Sequence, residues 1–401
     1  MQKAKTSGGG NIVIKVIRGI FNSILAVSTI GLLFVYLLSA FSDHFDPRTY
    51  LYVAFLGIGY HIALILTVLW LIVLVVLRHW KLAALAALCL ISTYSKVSRY
   101  FPMNILRNDP ITKVRSAEGL DSPIQVDTIR LMTYNTCGSG QVAVWKKDVE
   151  VPVLDFLRNS KADILCLQEH SFAQTKNGHS QEEMRKYLAD IYPYYDFMPN
   201  YSRETLGIAI FSKFPIKKMA RIDKSKKDYA SSMYYELDIK GRRVALINNH
   251  LHSNQIELRD RELYDEMLEH FDKDSLGRIR TGMMRSLGNG YRARASQSNL
   301  IKNFIAERIG NDDIPVIICG DMNDTPISYC YRTMRGDYED AWQNAGLGSG
   351  TTYNQHHFWF RIDHVFHTSH FRTLDIQVLK RCEYSDHYPV MVNLQLLPES
   401  K

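Results

Sequence analysis

The stretch CGDMNDTP, residues 319–326, is the point from which the fold can be predicted. The apolar run IPVII, residues 314–318, precedes it and is typical of a buried β-strand. Gly320 lets the backbone turn without a Cβ penalty, and Asp321 and Asn323 point to the same side of an extended chain. Such a strand end can present two polar groups to a metal-bound phosphate. The same short pattern also fits an ordinary strand exit with Asx-turn residues.

Five further strand-like segments each place an Asn, Asp, Glu or His at one end. They are LMTYN at 131–135, DILCLQEH at 163–170, VALINNH at 244–250, RIDHVF at 361–366 and SDHYPV at 385–390. Solvated loops do not explain six such ends in one chain. We therefore expect these polar ends to meet at one site.

In these motifs the chain resembles the endonuclease/exonuclease/phosphatase superfamily, whose DNase I-like fold is shared by nucleases, sphingomyelinases and inositol-polyphosphate 5-phosphatases. The matching segments, in the family's order, are TYN at 133–135, LQE at 167–169, NNHL at 248–251, GDMND at 320–324, RIDHVF at 361–366 and SDHYPV at 385–390. The resemblance covers roughly the last two thirds of the chain. Alternating strands and helices alone indicate an α+β fold. The resemblance implies a four-layer sandwich of two β-sheets flanked by helices, with the site at one edge.

The resemblance also assigns metal ligands. It implies that Glu169 holds the metal with Asn135 beside it, and that Asp386 helps to bind this metal or a second ion. Glu169 could otherwise be an exposed acid at a strand end. Hard oxygen ligands suit Mg²⁺, with Mn²⁺ as the alternative ion, and the sequence shows no cluster of soft ligands.

The catalytic roles follow from the same motifs. Asp321 would orient or deprotonate the attacking water, Asn323 would hold a phosphate oxygen, and His387 would contact the phosphoryl group. Asp363 would pair with His387 and fix its tautomer, although a purely structural salt bridge is the alternative. His250 would protonate the leaving group, unless it is a packed His at a strand end.

Three arginines are candidates for contacting a substrate anion. They are Arg203, Arg292 and Arg294, and each of them could equally be a solvated charge. The six cysteines show no metal spacing such as C-x-x-C. Cys89, Cys166 and Cys319 lie in apolar segments and are expected to be buried free thiols, whereas the sequence leaves a disulfide open among Cys137, Cys330 and Cys382.

The chain of 401 residues divides into four parts by composition. We predict a basic cytoplasmic tail at 1–18, a transmembrane region at 19–96, a linker at 97–124 and a catalytic domain at 125–398. The predicted spans are about 19–41, 50–77 and 80–98. We also predict helices at 151–157, 181–188 and 293–309.

Charge bias predicts the orientation of this region. Basic residues precede the first span and follow the second, which places the N-terminus and the 78–81 turn in the cytoplasm. The side of the catalytic domain then depends on the third apolar run, 82–94, which is short for a span. A flat surface helix should have a polar face, and this run has none along its core. We therefore expect it to cross, with the catalytic domain outside the cytoplasm.

Together these features predict a membrane-anchored, Mg²⁺-dependent phosphodiesterase or phosphatase. The net charge of +7 fits an anionic membrane or nucleic acid. A lipid or sugar phosphate near the bilayer is the favoured substrate, and no protein partner is predicted. The basic stretch 278–294 keeps a DNA nuclease as the alternative. A third interpretation is a membrane scaffold that has lost catalysis. Such a protein would be expected to lack Glu169, Asp321 or His387, and all three residues are present.

Overall fold

A computed structural model describes residues 8–104, 128–140, 151–174, 178–201, 203–223, 231–254, 273–310, 312–353, 355 and 359–398. Most of the predicted linker, and the start of the predicted catalytic domain at 125–127, lie outside these residues. The helical N-terminal region contains α1 (Gly8–Ala40), a 3₁₀ turn (Ser42–His44), α2 (Leu51–Ile58), α3 (Tyr60–Val76), α4 (Trp80–Ser92) and α5 (Tyr94–Tyr100). Helix α1 thus begins within the stretch predicted as a tail.

The remaining residues form two six-stranded sheets. The first has the order β11-β12-β1-β2-β4-β3 and the second the order β5-β6-β7-β8-β10-β9. The strands are β1 (Thr128–Asn135), β2 (Ile164–Ser171), β3 (Tyr194–Pro199), β4 (Leu206–Ser212), β5 (Ile216–Arg221), β6 (Ser231–Ile239), β7 (Arg242–His250), β8 (Val316–Asp321), β9 (Glu339–Asp340), β10 (Asp363–His367), β11 (Phe371–Val378) and β12 (Val390–Leu396). Both sheets are mixed, because only β1–β2 and β7–β8 pair in parallel.

Within the described residues, five further helices pack against the sheets, the first four on their outer faces and the last, short one in the core between them. They are α6 (Pro152–Asn159), α7 (Gln181–Leu188), α8 (Lys273–Ile309), α9 (Tyr329–Arg335) and α10 (Ala341–Ala345). The first two agree with the helices predicted at 151–157 and 181–188. Helix α8 begins twenty residues before the start predicted at 293, because its early turns lack the apolar periodicity that marked the later ones.

Alternating side chains build three hydrophobic layers around the sheets. In β8, Ile317 and Cys319 pack in the core between the two sheets. Val316 and Ile318 point the other way and pack against Ile301 on α8. A third core joins the first sheet to α6 and α7. This is the four-layer sandwich expected from the sequence, and it follows from the two-residue period of a strand.

The membrane prediction is supported only in its coarser form. Within the described residues, one helix is long and apolar enough to cross a bilayer, Val13–Ala40. A second candidate exists if α2 and α3, which meet at a 62° bend, count as one span. Helix α4 is apolar but has only 13 residues. These findings concern length and composition, and they leave the three-span prediction without support.

The helical region packs against the sandwich through polar contacts at one end. Ser42 Oγ donates to the backbone oxygen of Ile327 at 3.3 Å. Buried Asp43 accepts hydrogen bonds from Lys96 and Arg99, so the turn after α1 and helix α5 meet at the same place. Gln343 Nε2 donates to Ser98 Oγ at 3.1 Å. The end of the helical region that carries these residues therefore faces the sandwich.

Candidate active site

The two parallel strand pairs bring the predicted polar ends together. Strands β1 and β2 end at Asn135 and near Glu169, and strands β7 and β8 end at His250 and Asp321, which are directly paired in the register. Because parallel strands present their carboxyl ends at the same edge, the four side chains meet where the two sheets converge.

Two antiparallel strands complete the edge. Strand β10 begins at Asp363, which lies opposite Asp321 in the register with β8. His387 lies just before β12, whose pairing partner β1 ends at Asn135. Asp363 and His387 therefore enter the site from strands that start where the parallel strands stop.

The backbone is specialised at two of these strand ends. Gly320 has φ of 127°, and a Cβ there would lie 2.0 Å from the backbone oxygen of Asn249 on the neighbouring strand. Glu169 has φ of 50° at a β-bulge between β2 and β4. A non-glycine residue in this conformation costs free energy, which the surrounding strands must offset. The bulge turns Glu169 toward the edge of the sheet.

Asp321 is at the centre of a buried hydrogen-bond network. Its carboxylate accepts from Asn135 Nδ2 at 3.0 Å, and from the backbone nitrogen and Nδ2 of Asn323 at 2.8 and 3.2 Å. The side chain is 1% exposed. Burial raises the pKa of Asp321 to about 6, against the opposing influence of the nearby His387. This carboxylate is held in one orientation and is more basic than an ordinary aspartate.

His387 and Asp363 form a buried pair. Nδ1 of His387 lies 2.9 Å from Asp363 Oδ2, and its Nε2 lies 3.7 Å from Asp321 Oδ2. Burial alone would lower the pKa of His387, but the carboxylates of Asp363 and Asp321 raise it to about 10. The imidazole is therefore protonated at neutral pH and carries a proton on Nε2, which faces Asp321.

Glu169 and His250 form the opposite side of the site. Asn135 Nδ2 donates to Glu169 Oε1 at 3.2 Å. His250 Nε2 lies 3.4 Å from Glu169 Oε1 and 3.8 Å from Asp321 Oδ2. The Glu169 side chain is 31% exposed, which makes it the accessible carboxylate beside buried Asp321. The structure thus brings Asn135, Glu169, His250, Asp321, Asn323, Asp363 and His387 into one cluster.

Several polar atoms of this cluster have no internal partner. Among the described residues, His250 Nε2 and Asp363 Oδ1 are buried without a hydrogen bond. Leaving such atoms unpaired costs on the order of 1–3 kcal/mol each, so their presence indicates a place for a ligand.

The donor set fits a hard divalent cation. Glu169 offers an accessible carboxylate, and carboxylate oxygens of Asp321 and Asp363 lie within 4.8 Å of each other. Carboxylate oxygens suit Mg²⁺ or Mn²⁺. Asn135 lies beside Glu169: its Oδ1 accepts from the backbone nitrogen of Cys137 at 3.0 Å, and its Nδ2 faces the carboxylates of Glu169 and Asp321. In this arrangement Asn135 orients Glu169 and Asp321.

The remaining predicted site residues lie apart from this cluster or at its margin. Asp386 is half-buried and accepts a hydrogen bond from Ser385 Oγ at 3.3 Å. Arg203 and Arg292 are exposed. Arg294 is buried, and its Nε donates to Asp324 Oδ2 at 3.0 Å. Its guanidinium is therefore engaged in hydrogen bonds inside the protein.

Sequence reasoning missed three residues that position the site. Gln168 Nε2 donates to Asn248 Oδ1 at 2.7 Å, and this bond joins the two sheets below Glu169. Ser385 Oγ donates to the backbone oxygen of Asn135 at 2.7 Å and accepts from the backbone nitrogen of His387 at 3.1 Å. Gln168 and Asn248 both lie in the motifs quoted above, and each is followed by a second polar residue at the end of an apolar strand. Such a polar pair was the signal for a buried hydrogen bond between the two sheets.

An aromatic wall lies beside His387. The Tyr353 ring packs on the imidazole, with 5.2 Å between ring centroids. Tyr353 pairs through its backbone with Phe360, and the Phe360 ring lies 6.4 Å from that of His61 on α3. Nothing in the sequence around Tyr353 indicated this contact. The wall connects the site to the helical region.

Comparison with known families and structures adds an independent line of information. Residues 132–387, more than half of the chain, match the profile described as the Endonuclease/Exonuclease/phosphatase family. Residues 22–100 match a profile described only as a domain of unknown function, DUF8431. A search of curated proteins found no significant match.

Similar folds occur among solved structures. The human Nocturnin catalytic domain has 16% identity and a TM-score of 0.47, covering 67% of this chain and 93% of its own. Truncated TDP2 of Caenorhabditis elegans has 18% identity and a TM-score of 0.44, with coverages of 67% and 97%. A mannosyl-6-phosphatase of Bacteroides thetaiotaomicron has 16% identity and a TM-score of 0.44, with coverages of 66% and 99%.

Proposed function

Because this chain belongs to the endonuclease/exonuclease/phosphatase family, whose members act on phosphoester bonds, we propose that it is a membrane-anchored, metal-dependent phosphoester hydrolase. One observation carries the proposal. An accessible carboxylate, Glu169, stands beside a buried basic carboxylate, Asp321, and a protonated His387, and two neighbouring polar atoms have no hydrogen-bond partner among the described residues.

Glu169 would hold the divalent cation, and Asn135 would orient the ligating carboxylate through its 3.2 Å hydrogen bond. When bound, Mg²⁺ or Mn²⁺ neutralises charge on the phosphoryl oxygens and helps the leaving oxygen depart. Asp386, at the margin of the cluster, remains a proposed ligand of this ion or of a second one. The identity and number of the ions are part of the proposal.

The residues of the chain supply the proton transfers. Asp321 accepts a proton from the attacking water, for which a pKa of about 6 makes it ionised and moderately basic at pH 7. His387 donates a hydrogen bond from Nε2 to the phosphoryl group, and Asp363 holds the ring with its other nitrogen protonated. His250, with Nε2 unpaired, donates a proton to the leaving oxygen. Asn323 fixes Asp321 and is the proposed contact for a phosphate oxygen.

The position of the site favours a substrate at the membrane. The aromatic wall of Tyr353 and Phe360 extends from His387 to His61 in the helical region. A lipid phosphate or a sugar phosphate tethered near the bilayer would reach the site from this side. Arg294, the last residue of the basic stretch that kept a DNA nuclease as the alternative, is buried against Asp324, so its charge is not available in a groove.

We further propose that the catalytic domain lies outside the cytoplasm. The basic residues before the first predicted span, 19–41, and those at 78–81 favour the cytoplasm for those two ends. Asp43, in the turn after α1, pairs with Lys96 beyond α4, which supports both ends lying on the side of the catalytic domain. Fusions of alkaline phosphatase and green fluorescent protein to the C-terminus test this. Phosphatase activity without fluorescence is expected, and fluorescence without phosphatase activity would refute it.

The activity is tested with a panel of substrates. The full chain in detergent is incubated with sphingomyelin, inositol phosphates, plasmid DNA and a bis-aryl phosphodiester, with Mg²⁺ or with EDTA. We expect Mg²⁺-dependent hydrolysis, fastest on sphingomyelin or on the inositol phosphates. Cleavage of plasmid DNA alone would favour the nuclease, and no hydrolysis of any substrate would favour the scaffold.

A further inference from the structure

A large cavity lies between the helical region and the sandwich, apart from the candidate active site. Its volume is about 840 Å³, and it is bordered by α5, α8, α9 and the residues that follow α1. None of the seven clustered active-site residues lines it. The cavity therefore needs an explanation of its own.

The lining of this cavity is strongly basic. Five Lys and Arg side chains border it, Lys96, Arg99, Lys302, Arg332 and Arg335, and Asp337 is the one carboxylate among its described lining residues. Lys96 and Arg99 both pair with the one buried carboxylate of Asp43. Such an excess of one charge in a concave surface attracts an oppositely charged ligand.

Three of these cations have no carboxylate partner. Among the described residues, Lys302, Arg332 and Arg335 take part in no ion pair or side-chain hydrogen bond, although other arginines of the same region, such as Arg294 and Arg361, do. Nε of Arg335 is buried and has no hydrogen-bond partner within the described chain. A buried, charged donor left without an acceptor is costly, and an anion in the cavity would satisfy it.

The cavity also has an apolar wall at the level where α1 ends. Phe41, the residue after α1, lines it together with Ile305, Ile309 and Met334. Helix α1 is the described helix best suited to cross a bilayer, so Phe41 would lie at the membrane surface. Basic pockets at this level suit the phosphate of a lipid headgroup, and apolar side chains suit its glycerol and acyl carbons.

We propose that this cavity binds the headgroup of an anionic phospholipid through Lys302, Arg332 and Arg335. The inference rests on the proposed membrane anchoring through α1, but it is independent of the proposed hydrolysis, because it uses none of the clustered active-site residues. The bound lipid would fill the space between the helical region and α9, and would hold the sandwich against the membrane.

The test uses the full chain in a neutral detergent and native mass spectrometry. The probes are phosphatidylglycerol and phosphatidylcholine with the same acyl chains. We expect one molecule of phosphatidylglycerol to bind per chain, with an affinity at least about tenfold higher than that of phosphatidylcholine. The reason is that charge-assisted hydrogen bonds are stronger than neutral ones. Equal affinities would overturn the proposal, and this comparison requires no variant.

Matched variants locate the binding. The double variant Lys302→Gln/Arg335→Gln should lower the affinity for phosphatidylglycerol about tenfold and leave that for phosphatidylcholine unchanged. The control Lys380→Gln/Arg381→Gln removes the same charges from exposed positions after β11 and should leave both affinities unchanged. Equal losses in the two double variants would overturn the assignment. The charge-retaining variant Lys302→Arg/Arg335→Lys should keep the preference.

Competition distinguishes the sources of the anion. Inorganic phosphate that displaces phosphatidylglycerol at a comparable concentration would show a site for a soluble anion and overturn the lipid proposal. Displacement by a short DNA duplex would likewise replace it with a nucleic-acid site. We expect that neither competitor displaces phosphatidylglycerol at a comparable concentration, because neither has acyl chains that pack against the apolar wall of the cavity.

Discussion

Asp324 and Asp321, a few residues apart in the chain, belong to two different buried clusters of charged residues. The two clusters differ in whether their buried polar atoms have hydrogen-bond partners. In the first, Arg294 donates to Asp324 at 3.0 Å, to the backbone oxygen of His252 at 3.0 Å and to Asn254 at 2.8 Å. In the second, around Asp321, His250 Nε2 and Asp363 Oδ1 have no partner among the described residues.

The difference separates structural charge from functional charge. A saturated pair contributes to the stability of the fold because breaking it leaves an uncompensated buried charge. A cluster with unpaired buried polar atoms lowers the stability of the fold. Such clusters are typical of functional sites, where a bound ligand supplies the missing partners. Substitutions in the second cluster should therefore affect catalysis first, and substitutions in the first should affect folding first.

The strongest effect is expected at Glu169. Glu169→Gln should lower the hydrolysis rate by roughly 10²–10⁴, because the amide has lost the charge that holds the cation. High Mg²⁺ or Mn²⁺ should restore part of the activity. Rate measurements should show no such loss in Glu204→Gln, an exposed carboxylate outside the cluster. Full activity of the wild type in EDTA would refute this role.

Asp321 and His387 should behave as one unit. Each single substitution, Asp321→Asn and His387→Gln, should cost a factor of roughly 10²–10⁴, as is typical for the loss of an acid or base. Their side chains lie 3.7 Å apart around one phosphoryl position, so the double variant should lose little more than the worse single variant. Additive losses in this cycle would assign the two residues to separate steps.

Arg294 tests the other side of the comparison. Arg294→Met should lower the free energy of unfolding by about 3–5 kcal/mol, because the carboxyl of Asp324 would stay buried without its partner. Urea unfolding measures this loss. The rate per folded molecule should stay close to that of the wild type. A catalytic defect with unchanged stability would return Arg294 to the substrate site that the sequence suggested.

The smallest effect is expected in the dependence of stability on pH. The pKa of His387 is raised from 6.5 to about 10, so its pairing with Asp363 stabilises the fold fully below about pH 6.5 and ceases to do so as the pH rises through about 10. The difference in unfolding free energy between wild type and Asp363→Asn should thus narrow by on the order of 1–3 kcal/mol between pH 7 and pH 10.5. A constant difference would contradict the raised pKa.

The sequence predicted the second cluster better than the first. Polar residues at the ends of apolar strands indicated that Asn135, Glu169, His250, Asp321, Asp363 and His387 would converge, because strand ends meet at a sheet edge. The buried Arg294–Asp324 pair could not be predicted, since periodicity places Arg294 on a helix without specifying its partner. The direction of the Asn135 amide likewise depends on Cys137, a residue outside its strand.

The helical region shows a similar limit. Its apolar runs indicated helices, but the 62° bend between α2 and α3, at Gly59, and the separation of α4 from α5, at Thr93, depend on local geometry. The pairing of Asp43 with Lys96 is a contact between residues far apart in the chain. Length and hydropathy therefore predicted the apolar segments and left their packing open.

Equilibrium binding of Mn²⁺ is the decisive measurement, because it examines the unsatisfied cluster without needing a substrate. Electron paramagnetic resonance of the full chain, titrated with Mn²⁺, should show a site that is competed by Mg²⁺, weakened at least about tenfold in Glu169→Gln and unchanged in Arg294→Met and Glu204→Gln. Equal binding by the wild type and Glu169→Gln would contradict the assignment of this cluster as a metal-dependent active site.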